Sequence, residues 1–320
     1  MKYNRRTFLK DTAMTMGGLG ILSCLPGLDV LANTAGKPFF KISLAEWSLH
    51  RTLKSGKMTN MDFPAKAKND FGIQAVEYVD QYFSDKARDQ AYLAELNKRA
   101  ADLGVRNALI MVDTAGALAE TNDDKRLAAV ENHYQWIDAA KFLGCHSIRV
   151  NLRGQGAPAD LSRASIDSLG RLSEYGAKNK IGVVVENHGG VSSDGKWLVH
   201  VMKQVNNPYC GTLPDFDNWC VSLSTTGTGK PCENEYDRYL GTQEMMPFAR
   251  GVSAKSRSFD AAGNEINIDF DRLLRIVKAG KTNAFQGYIG IEYAGNTLGE
   301  DEGIMATKKL LQRIGNTTLS

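Results

Sequence analysis

Short apolar runs alternate with amphipathic stretches along the chain, and this pattern predicts its fold. Eight runs have the composition of buried strands, in which apolar and β-branched residues dominate. These runs are residues 40–49, 75–79, 106–112, 147–152, 182–188, 209–216, 251–259 and 287–293. The segments between them carry apolar residues three and four positions apart, most clearly at residues 91–103 and 130–143, which predicts helices that pack on the strands.

Eight alternating strand–helix units predict an α/β protein and, within that class, a closed (β/α)8 TIM barrel. An open doubly wound sheet is the alternative. No Gly-x-Gly-x-x-Gly sequence opens a helix, however, so a dinucleotide site is not supported. Residues 220–246 follow the sixth strand and are rich in Ser, Thr and Gly, which predicts a long irregular loop of the kind that covers a site.

The N-terminus has the composition of an export signal. Arg5 and Arg6 precede an apolar, glycine-rich run at residues 13–31, which is the pattern of a twin-arginine signal peptide. That run is too short and too rich in glycine for a stable membrane span, which needs about 20 apolar residues. We therefore expect residues 1–32 to be a signal peptide for the twin-arginine export machinery.

Export would place the mature protein in the periplasm. Cleavage after Ala32 leaves residues 33–320 as a single (β/α)8 barrel domain, and a weak lipoprotein-like sequence at Cys24 leaves a lipid-anchored form open. The periplasm permits disulfides. Cys220 and Cys232 fall in the long loop and can pair, although free thiols are equally compatible with the sequence.

The charge balance limits the class of partner. The chain has 39 Lys and Arg against 36 Asp and Glu, a net charge of +3, and about +2 of it belongs to the predicted signal peptide. Nucleic-acid-binding proteins ordinarily have a basic surplus. We therefore expect a small-molecule substrate, with no nucleic acid and no membrane span, and the oligomeric state stays open.

Three acidic residues occur at the ends of predicted strands, which is where a barrel collects its catalytic groups. Glu186 follows three valines, Asp215 closes the sixth strand, and Glu292 lies in the apolar eighth strand. A carboxylate in an apolar strand is costly unless it is paired or bound to a metal. Three such oxygens predict a site for one divalent cation, Mg²⁺ or Mn²⁺, or Zn²⁺ or Co²⁺ if an imidazole joins them.

The motifs around these acids carry a resemblance. Glu-Asn-His-Gly-Gly after strand five, Leu-Pro-Asp-Phe-x-Asn after strand six and Ile-Glu-Tyr in strand eight resemble the sugar phosphate isomerase/epimerase family of xylose isomerase-like barrels. The resemblance covers about residues 40–315. It implies one divalent metal on a Glu, an Asp, a His and a second Glu, of which three fall on Glu186, Asp215 and Glu292.

The chain departs from that family at two positions. Ser253 stands where the family often has the metal-binding His, and Asn218 stands where epimerases tend to have a second His. The metal is then held by three protein ligands and waters, or His188 supplies a nitrogen. The reaction also stays open between isomerisation or epimerisation, elimination or hydration of a keto-sugar, and sugar binding without catalysis.

The resemblance implies proton abstraction beside a sugar carbonyl through an enediolate, with Glu186 and Glu292 exchanging the proton. We predict that Lys255 polarises the carbonyl or enolate, the alternative being that it is a buried partner of a ligand carboxylate. Other polar residues at strand ends are predicted to contact the carbohydrate, namely Glu46, Trp47, Arg149, Asn151, His188, Asn218 and Arg257.

Overall fold

A computed structural model describes residues 38–223, 232–280, 285 and 287–317. Its strands, numbered in chain order, are β1 Lys41–Ala45, β2 Ala75–Val79, β3 Arg106–Val112, β4 Ser147–Val150, β5 Gly182–Glu186, β6 Cys210–Leu213, β7 Cys220–Leu223, β8 Cys232–Glu235, β9 Val252–Ser256 and β10 Tyr288–Tyr293. The α-helices are α1 His50–Lys54, α2 Phe63–Asn69, α3 Gln90–Asp102, α4 Asp123–Leu143, α5 Pro158–Asn179, α6 Gly195–Val205, α7 Arg238–Met245, α8 Phe270–Ala279 and α9 Glu300–Thr317. The predicted signal peptide lies outside the described residues.

Eight of these strands form one parallel sheet that curls into a nearly closed barrel, as predicted. The order of the strands is β6-β5-β4-β3-β2-β1-β10-β9, and every neighbouring pair is parallel. Isolated parallel bridges join Thr212 to Ala249 and Asp215 to Ser253, which brings the β9 edge back to β6. An open doubly wound sheet is therefore excluded.

The helices cover the outside of the barrel, and their ends follow from local chemistry. In α4, the side chain of Asn122 accepts the backbone N–H of Lys125, and Gly144 ends the helix with a φ of 75°. Trp136 and Ile137 on the same helix are 2% and 0% exposed. Burying a large apolar side chain contributes about 1.5–3 kcal/mol, so this face holds the helix on the sheet.

Several predictions of element boundaries were wrong. The strands β4, β5, β6 and β9 end two or three residues earlier than predicted, and two other differences are larger. The first strand was predicted to reach residue 49, but β1 ends at Ala45, and Glu46–Leu49 form a 3₁₀ turn. The irregular loop predicted at residues 220–246 instead holds the antiparallel hairpin β7–β8 and the helix α7. The hairpin is joined by the disulfide Cys220–Cys232, which was one of the two states that the sequence left open.

Within the described residues, no helix has both the length and the apolar composition that crossing a membrane requires.

Candidate metal centre

Three acidic side chains converge at the carboxyl end of the barrel. Glu186 is the last residue of β5, Asp215 lies two residues beyond β6, and Glu292 lies in β10. Each offers a carboxylate oxygen, and these oxygens all lie within 4.8 Å of one another. The three residues are 0%, 0% and 3% exposed. The structure thus brings the three acids to one point, and their role as ligands stays a prediction.

Asp215 accepts three hydrogen bonds from the protein. Its Oδ1 accepts the backbone N–H groups of Asp217 at 2.9 Å and Asn218 at 2.8 Å. Its Oδ2 accepts the hydroxyl of Ser253 at 2.6 Å, and that hydroxyl lies 3.4 Å from Oε2 of Glu292. Ser253 therefore touches two of the acids from the position where the resembled family has a histidine.

Two basic side chains approach the cluster. The ammonium of Lys255 donates a hydrogen bond to Oε1 of Glu292. Nε of Arg149 lies 2.9 Å from Oε2 of Glu186, but the two atoms do not meet the geometry of a hydrogen bond. Nη1 of Arg149 donates instead to Asp113 at 2.6 Å. Oε2 of Glu186 is left buried and without a hydrogen-bond partner.

The burial of so many acids changes their protonation. Burial raises the pKa of Glu186 to about 7, with Arg149 opposing the shift and Glu292 adding to it. Burial likewise raises the pKa of Asp215 well above its ordinary value. Burial acts in the same direction on Glu292, but the Lys255 ammonium outweighs it and holds the pKa of Glu292 below its ordinary value. The cluster thus lacks positive charge to ionise all three acids together.

These residues fit a divalent cation. Buried hard oxygens are the donors that Mg²⁺ and Mn²⁺ prefer. Oε2 of Glu186 accepts no hydrogen bond although Arg149 lies 2.9 Å away, and the pKa of Asp215 is raised, so the protein's own cations do not fully satisfy these two acids. Glu186, Asp215 and Glu292 are the residues that would hold the ion, with Ser253 supporting two of them.

A cavity of about 290 Å³ opens beside the cluster. This volume is at the small end of ligand pockets, which run from roughly 300 Å³ upward. Of the residues predicted to contact substrate, Trp47, Arg149 and His188 line it, together with Glu292. Burial, with Arg149 and Lys255 nearby, lowers the pKa of His188 to about 4, so its ring is neutral at neutral pH.

Three other predicted contact residues, Asn151, Asn218 and Arg257, do not line this cavity but bond to acidic residues. Asn151 donates to Oδ1 of Asp113 at 2.6 Å, and Asn218 lies 3.4 Å from Oε1 of Glu186. Arg257 pairs with Asp217 at 2.5 Å. All of these roles in binding stay predictions.

Glu46 lies away from the cavity lining. Its Oε1 accepts the side-chain amide of Asn60 at 2.9 Å, and its Oε2 accepts the backbone N–H of Val79 at 2.8 Å. Burial raises the pKa of Glu46 to about 8. Its contacts tie the turn after β1 to the end of β2, and its predicted contact with substrate stays untested.

Among the residues of the site that the sequence did not single out, three are ionisable. Asp113 follows β3 and lines the cavity, where the Arg149 guanidinium overcomes the effect of burial and lowers the pKa of Asp113 to about 2. Arg153 lines the cavity from the loop after β4. Glu77 lies buried inside the barrel on β2, and its Oε1 accepts the hydroxyl of Ser43 at 2.5 Å.

A family model described as the xylose isomerase-like TIM barrel matches residues 65–314. The chain belongs to this family. No curated protein sequence matches it significantly.

Solved structures of several proteins share the fold. An IolI protein with a bound zinc atom is 13% identical, with 88% of this chain and 99% of that chain covered and a TM-score of 0.66. D-psicose 3-epimerase with D-tagatose, from Clostridium cellulolyticum, is 10% identical, with 86% and 99% covered and a TM-score of 0.66. A xylose isomerase-like TIM barrel protein from Mycobacterium smegmatis, in complex with magnesium, is 14% identical, with 89% and 98% covered and a TM-score of 0.61. At these identities the likeness shows the fold.

Proposed function

We propose that this protein is a metal-dependent sugar isomerase or epimerase that removes a proton beside a carbonyl and passes through an enediolate. The observation that carries the proposal is the convergence of Glu186, Asp215 and Glu292 at the mouth of a xylose isomerase-like barrel. The epimerase among the solved structures of the same fold supports the substrate class.

The proposed cofactor is one divalent ion, Mn²⁺, Mg²⁺, Zn²⁺ or Co²⁺, held by the three acids. When bound, such an ion supplies Lewis acidity, which polarises a carbonyl and acidifies the adjacent C–H bond. The neighbours of this fold with zinc and with magnesium support a divalent ion without selecting one. Elemental analysis of protein purified without chelators would name the ion, and a protein free of divalent metal would favour a sugar-binding barrel.

The chain's own residues supply the acid–base chemistry of the proposal. Glu186 is the base of the proposal, because its buried Oε2 accepts no hydrogen bond from the protein and is available to take a proton. Glu292 is the second carboxylate of the exchange. Lys255, held against Glu292, donates hydrogen bonds to the oxygen on which negative charge develops.

Elimination or hydration of a keto-sugar is the second candidate. Both positions at which the resembled epimerases have histidine carry other residues here, and Ser253 and Asn218 are neither acids nor bases at neutral pH. The two reactions share the first proton transfer. They differ in product, because elimination releases the expelled group, hydration adds the mass of one water molecule, and epimerisation conserves mass.

Hydrogen exchange in D₂O tests the shared step. Metal-loaded protein is incubated with a panel of keto-sugars, and incorporation of deuterium at carbon is followed by NMR and mass spectrometry. We expect exchange in at least one sugar, lost in Glu186→Gln and kept in Glu174→Gln, a matched change of an exposed glutamate on α5. Absence of exchange in every sugar, or a Glu186→Gln variant equal to wild type, would reject proton abstraction.

We propose further that the twin-arginine machinery exports this protein to the periplasm. The support is the Arg5-Arg6 pair before the apolar run, together with the disulfide Cys220–Cys232, which suits an oxidising compartment. Replacing both arginines by lysine should retain the protein in the cytoplasm. Equal periplasmic amounts of variant and wild type in cell fractions would contradict this.

A further inference from the structure

The cavity beside the three acids has a basic side chain at its rim that the proposed mechanism does not use. Arg153 and His188 both line the cavity, and Nη2 of Arg153 lies 3.3 Å from Nδ1 of His188. Arg153 is exposed on its outer side. The guanidinium of Arg153 is therefore accessible both from solvent and from the cavity.

The backbone that presents Arg153 is held in place. The N–H of Ala119 donates to the carbonyl of Arg153 at 3.0 Å. The next residue, Gly154, passes so close to the neighbouring loop that a Cβ would lie 2.2 Å from the carbonyl oxygen of Ala119. Leu152, the preceding residue, is 3% exposed. The side chain therefore starts from a fixed point beside the cavity.

The ion pairs around the cavity leave Arg153 without an acidic partner. Arg149 pairs with Asp113 at 2.6 Å, Arg257 pairs with Asp217 at 2.5 Å, and Lys255 pairs with Glu292. Arg149 also lies 2.9 Å from Oε2 of Glu186, which together with Asp215 is proposed to bind a divalent cation. Among the residues that the structure describes, Arg153 forms no ion pair. Its Nη2 lies 3.3 Å from Nδ1 of His188, and its charge acts on Asp113 at longer range, adding to the effect of Arg149 in lowering the pKa of that carboxyl.

A guanidinium in this position suits an oxyanion. Arg has five N–H donors in a planar fork that binds carboxylate or phosphate through two parallel hydrogen bonds. The contact with His188 uses one part of that fork and leaves the other donors available. The neutral hydroxyls of a sugar would use the fork less well, because they carry no charge to complement it.

The geometry points to Arg153 and His188 as the binding site for an anionic group on the sugar, so that the substrate is a keto-sugar carrying a carboxylate or a phosphate. This inference rests on the proposed function, since it takes the cavity to be the sugar site. It adds a substrate class and a specificity-determining residue to that proposal.

A matched series of ligands tests the inference. D-fructose, D-fructuronate and D-fructose 6-phosphate are all 2-ketohexoses and differ in having a hydroxyl, a carboxylate or a phosphate at the last carbon. Their affinities are measured by isothermal titration calorimetry, with and without Mn²⁺, on wild type, Arg153→Gln, Arg153→Lys and Arg163→Gln. Arg163 is an exposed arginine on α5 that pairs with Asp160, and serves as the control.

We expect wild type to bind at least one anionic ketose about tenfold or more tightly than fructose, as charged hydrogen bonds imply. The preferred ligand distinguishes carboxylate from phosphate. Arg153→Gln should bring the ratio of affinities toward one, Arg153→Lys should keep part of it, and Arg163→Gln should keep all of it. Equal affinities for the three ketoses in wild type, no detectable binding of either anionic ketose, or a preference that survives Arg153→Gln, would overturn the inference.

The same variants keep the two proposals apart. Deuterium exchange in a neutral keto-sugar, together with a wild type that has no preference for anions, leaves the proton abstraction standing and removes the anion site. Conversely, the protein could prefer anionic ketoses in a way that depends on Arg153, yet catalyse no deuterium exchange and show no effect of Glu186→Gln. That result would support the anion-binding site and reject the proposed proton abstraction.

Discussion

Among single residues, Asp215 offers the sharpest test of the metal centre. In Asp215→Asn, the amide oxygen can still accept the backbone N–H groups of Asp217 and Asn218, so the loop after β6 should keep its conformation. The variant loses one charged ligand. We expect its affinity for Mn²⁺ to fall by about 10–100-fold or more, because even changes outside the ligand set have effects of that size.

Calorimetric titration of Mn²⁺ into chelator-treated protein measures this loss. Asp138→Asn is a suitable control, because that carboxylate lies on α4 and accepts the Tyr175 hydroxyl far from the cluster. An Asp215→Asn variant with unchanged affinity would show that the three acids do not form the metal site.

The raised pKa of Glu46 predicts how the free energy of unfolding depends on pH. Its pKa is about 8 in the folded protein against an ordinary value of 4.5, so the folded state holds a proton that the unfolded state releases between these values. The free energy of unfolding therefore falls as the pH rises from about 4.5 to about 8. Glu77 and Glu186, with pKa values of about 7, act in the same direction.

The variant Glu46→Gln isolates the contribution of one group. The new side-chain amide N–H at position 46 can donate to Asn60 if the side-chain amide of Asn60 rotates by about 180°, so that its oxygen faces residue 46. The Asn60 N–H group would then face the Tyr92 hydroxyl, which can accept as well as donate. We expect the variant to gain stability relative to wild type at pH 9, on the order of a few kcal/mol, and to gain none at pH 4. Urea unfolding at the two pH values measures the free energy of unfolding of both proteins. A difference between variant and wild type that is the same at pH 4 and pH 9 would contradict the raised pKa of Glu46.

The sequence indicates part of the site because a carboxylate after an apolar strand is costly without compensation. That signal marks Glu186, Asp215 and Glu292, and it is also present at Asp113, which follows Met111 and Val112. Arg153 gives no such signal, since an arginine in a loop is ordinary on a surface. Its position beside His188 depends on two different loops, and only the folded chain brings them together.

Among the elements, the β7–β8 hairpin is the least expected. The sequence predicts an irregular loop there, because residues 220–246 are rich in Ser, Thr and Gly. Each strand of the hairpin is only four residues long and β8 is mostly polar, so a hydrophobic alternation is hard to detect. The disulfide Cys220–Cys232 stabilises the hairpin, which has few apolar side chains to do so. It closes a loop with a sequence separation of 12.

Removing this disulfide should destabilise the protein. The double variant Cys220→Ser, Cys232→Ser loses the restriction that the cross-link places on the unfolded chain, which is worth roughly 2–4 kcal/mol for a short loop. Thermal unfolding with and without a reducing agent measures the effect. The reductant should lower the Tm of wild type and leave that of the variant unchanged, and an equal response of both would contradict the assignment.

The close packing of α7 against Trp219 predicts that a larger residue at Gly241 destabilises the protein. A Cβ on Gly241 would lie 2.0 Å from Cζ3 of Trp219, a fully buried ring. Gly241→Ala should therefore cost about 1–3 kcal/mol, as overpacking does. Gly170→Ala on α5 is the control, because nothing lies within 4 Å of its Cβ, and there the better helix propensity of alanine should add up to about 1 kcal/mol.

For the whole molecule, the alternation of strands and helices is enough to predict the barrel, because parallel strands joined by helices have few ways to bury both faces. It does not reveal which side chains meet across the closure. The bridge between Asp215 and Ser253 joins β6 to β9 and sets the serine hydroxyl against the acid. That contact spans two strands that are distant in sequence, so no local pattern contains it.

The metal centre couples the stability of the whole barrel to metal concentration and to pH. An ion that binds only the folded state stabilises it by about 2.7 kcal/mol at a hundred times its Kd. Glu186 and Asp215 both have raised pKa values, so they must lose protons before they can bind the ion. We expect the affinity for Mn²⁺ to rise from pH 6 to pH 8.

Titrations in two buffers that differ in ionisation enthalpy measure the protons released. At pH 6.5 we expect about one or more protons to be released per bound ion. The number should decrease at pH values above the pKa of Glu186, which is about 7. The Tm should rise with Mn²⁺ in wild type and much less in Asp215→Asn. Equal Tm values in chelator and in excess Mn²⁺, or binding that releases no protons, would mean that the three acids meet for a structural reason and that Lys255 and Arg149 are their only cations.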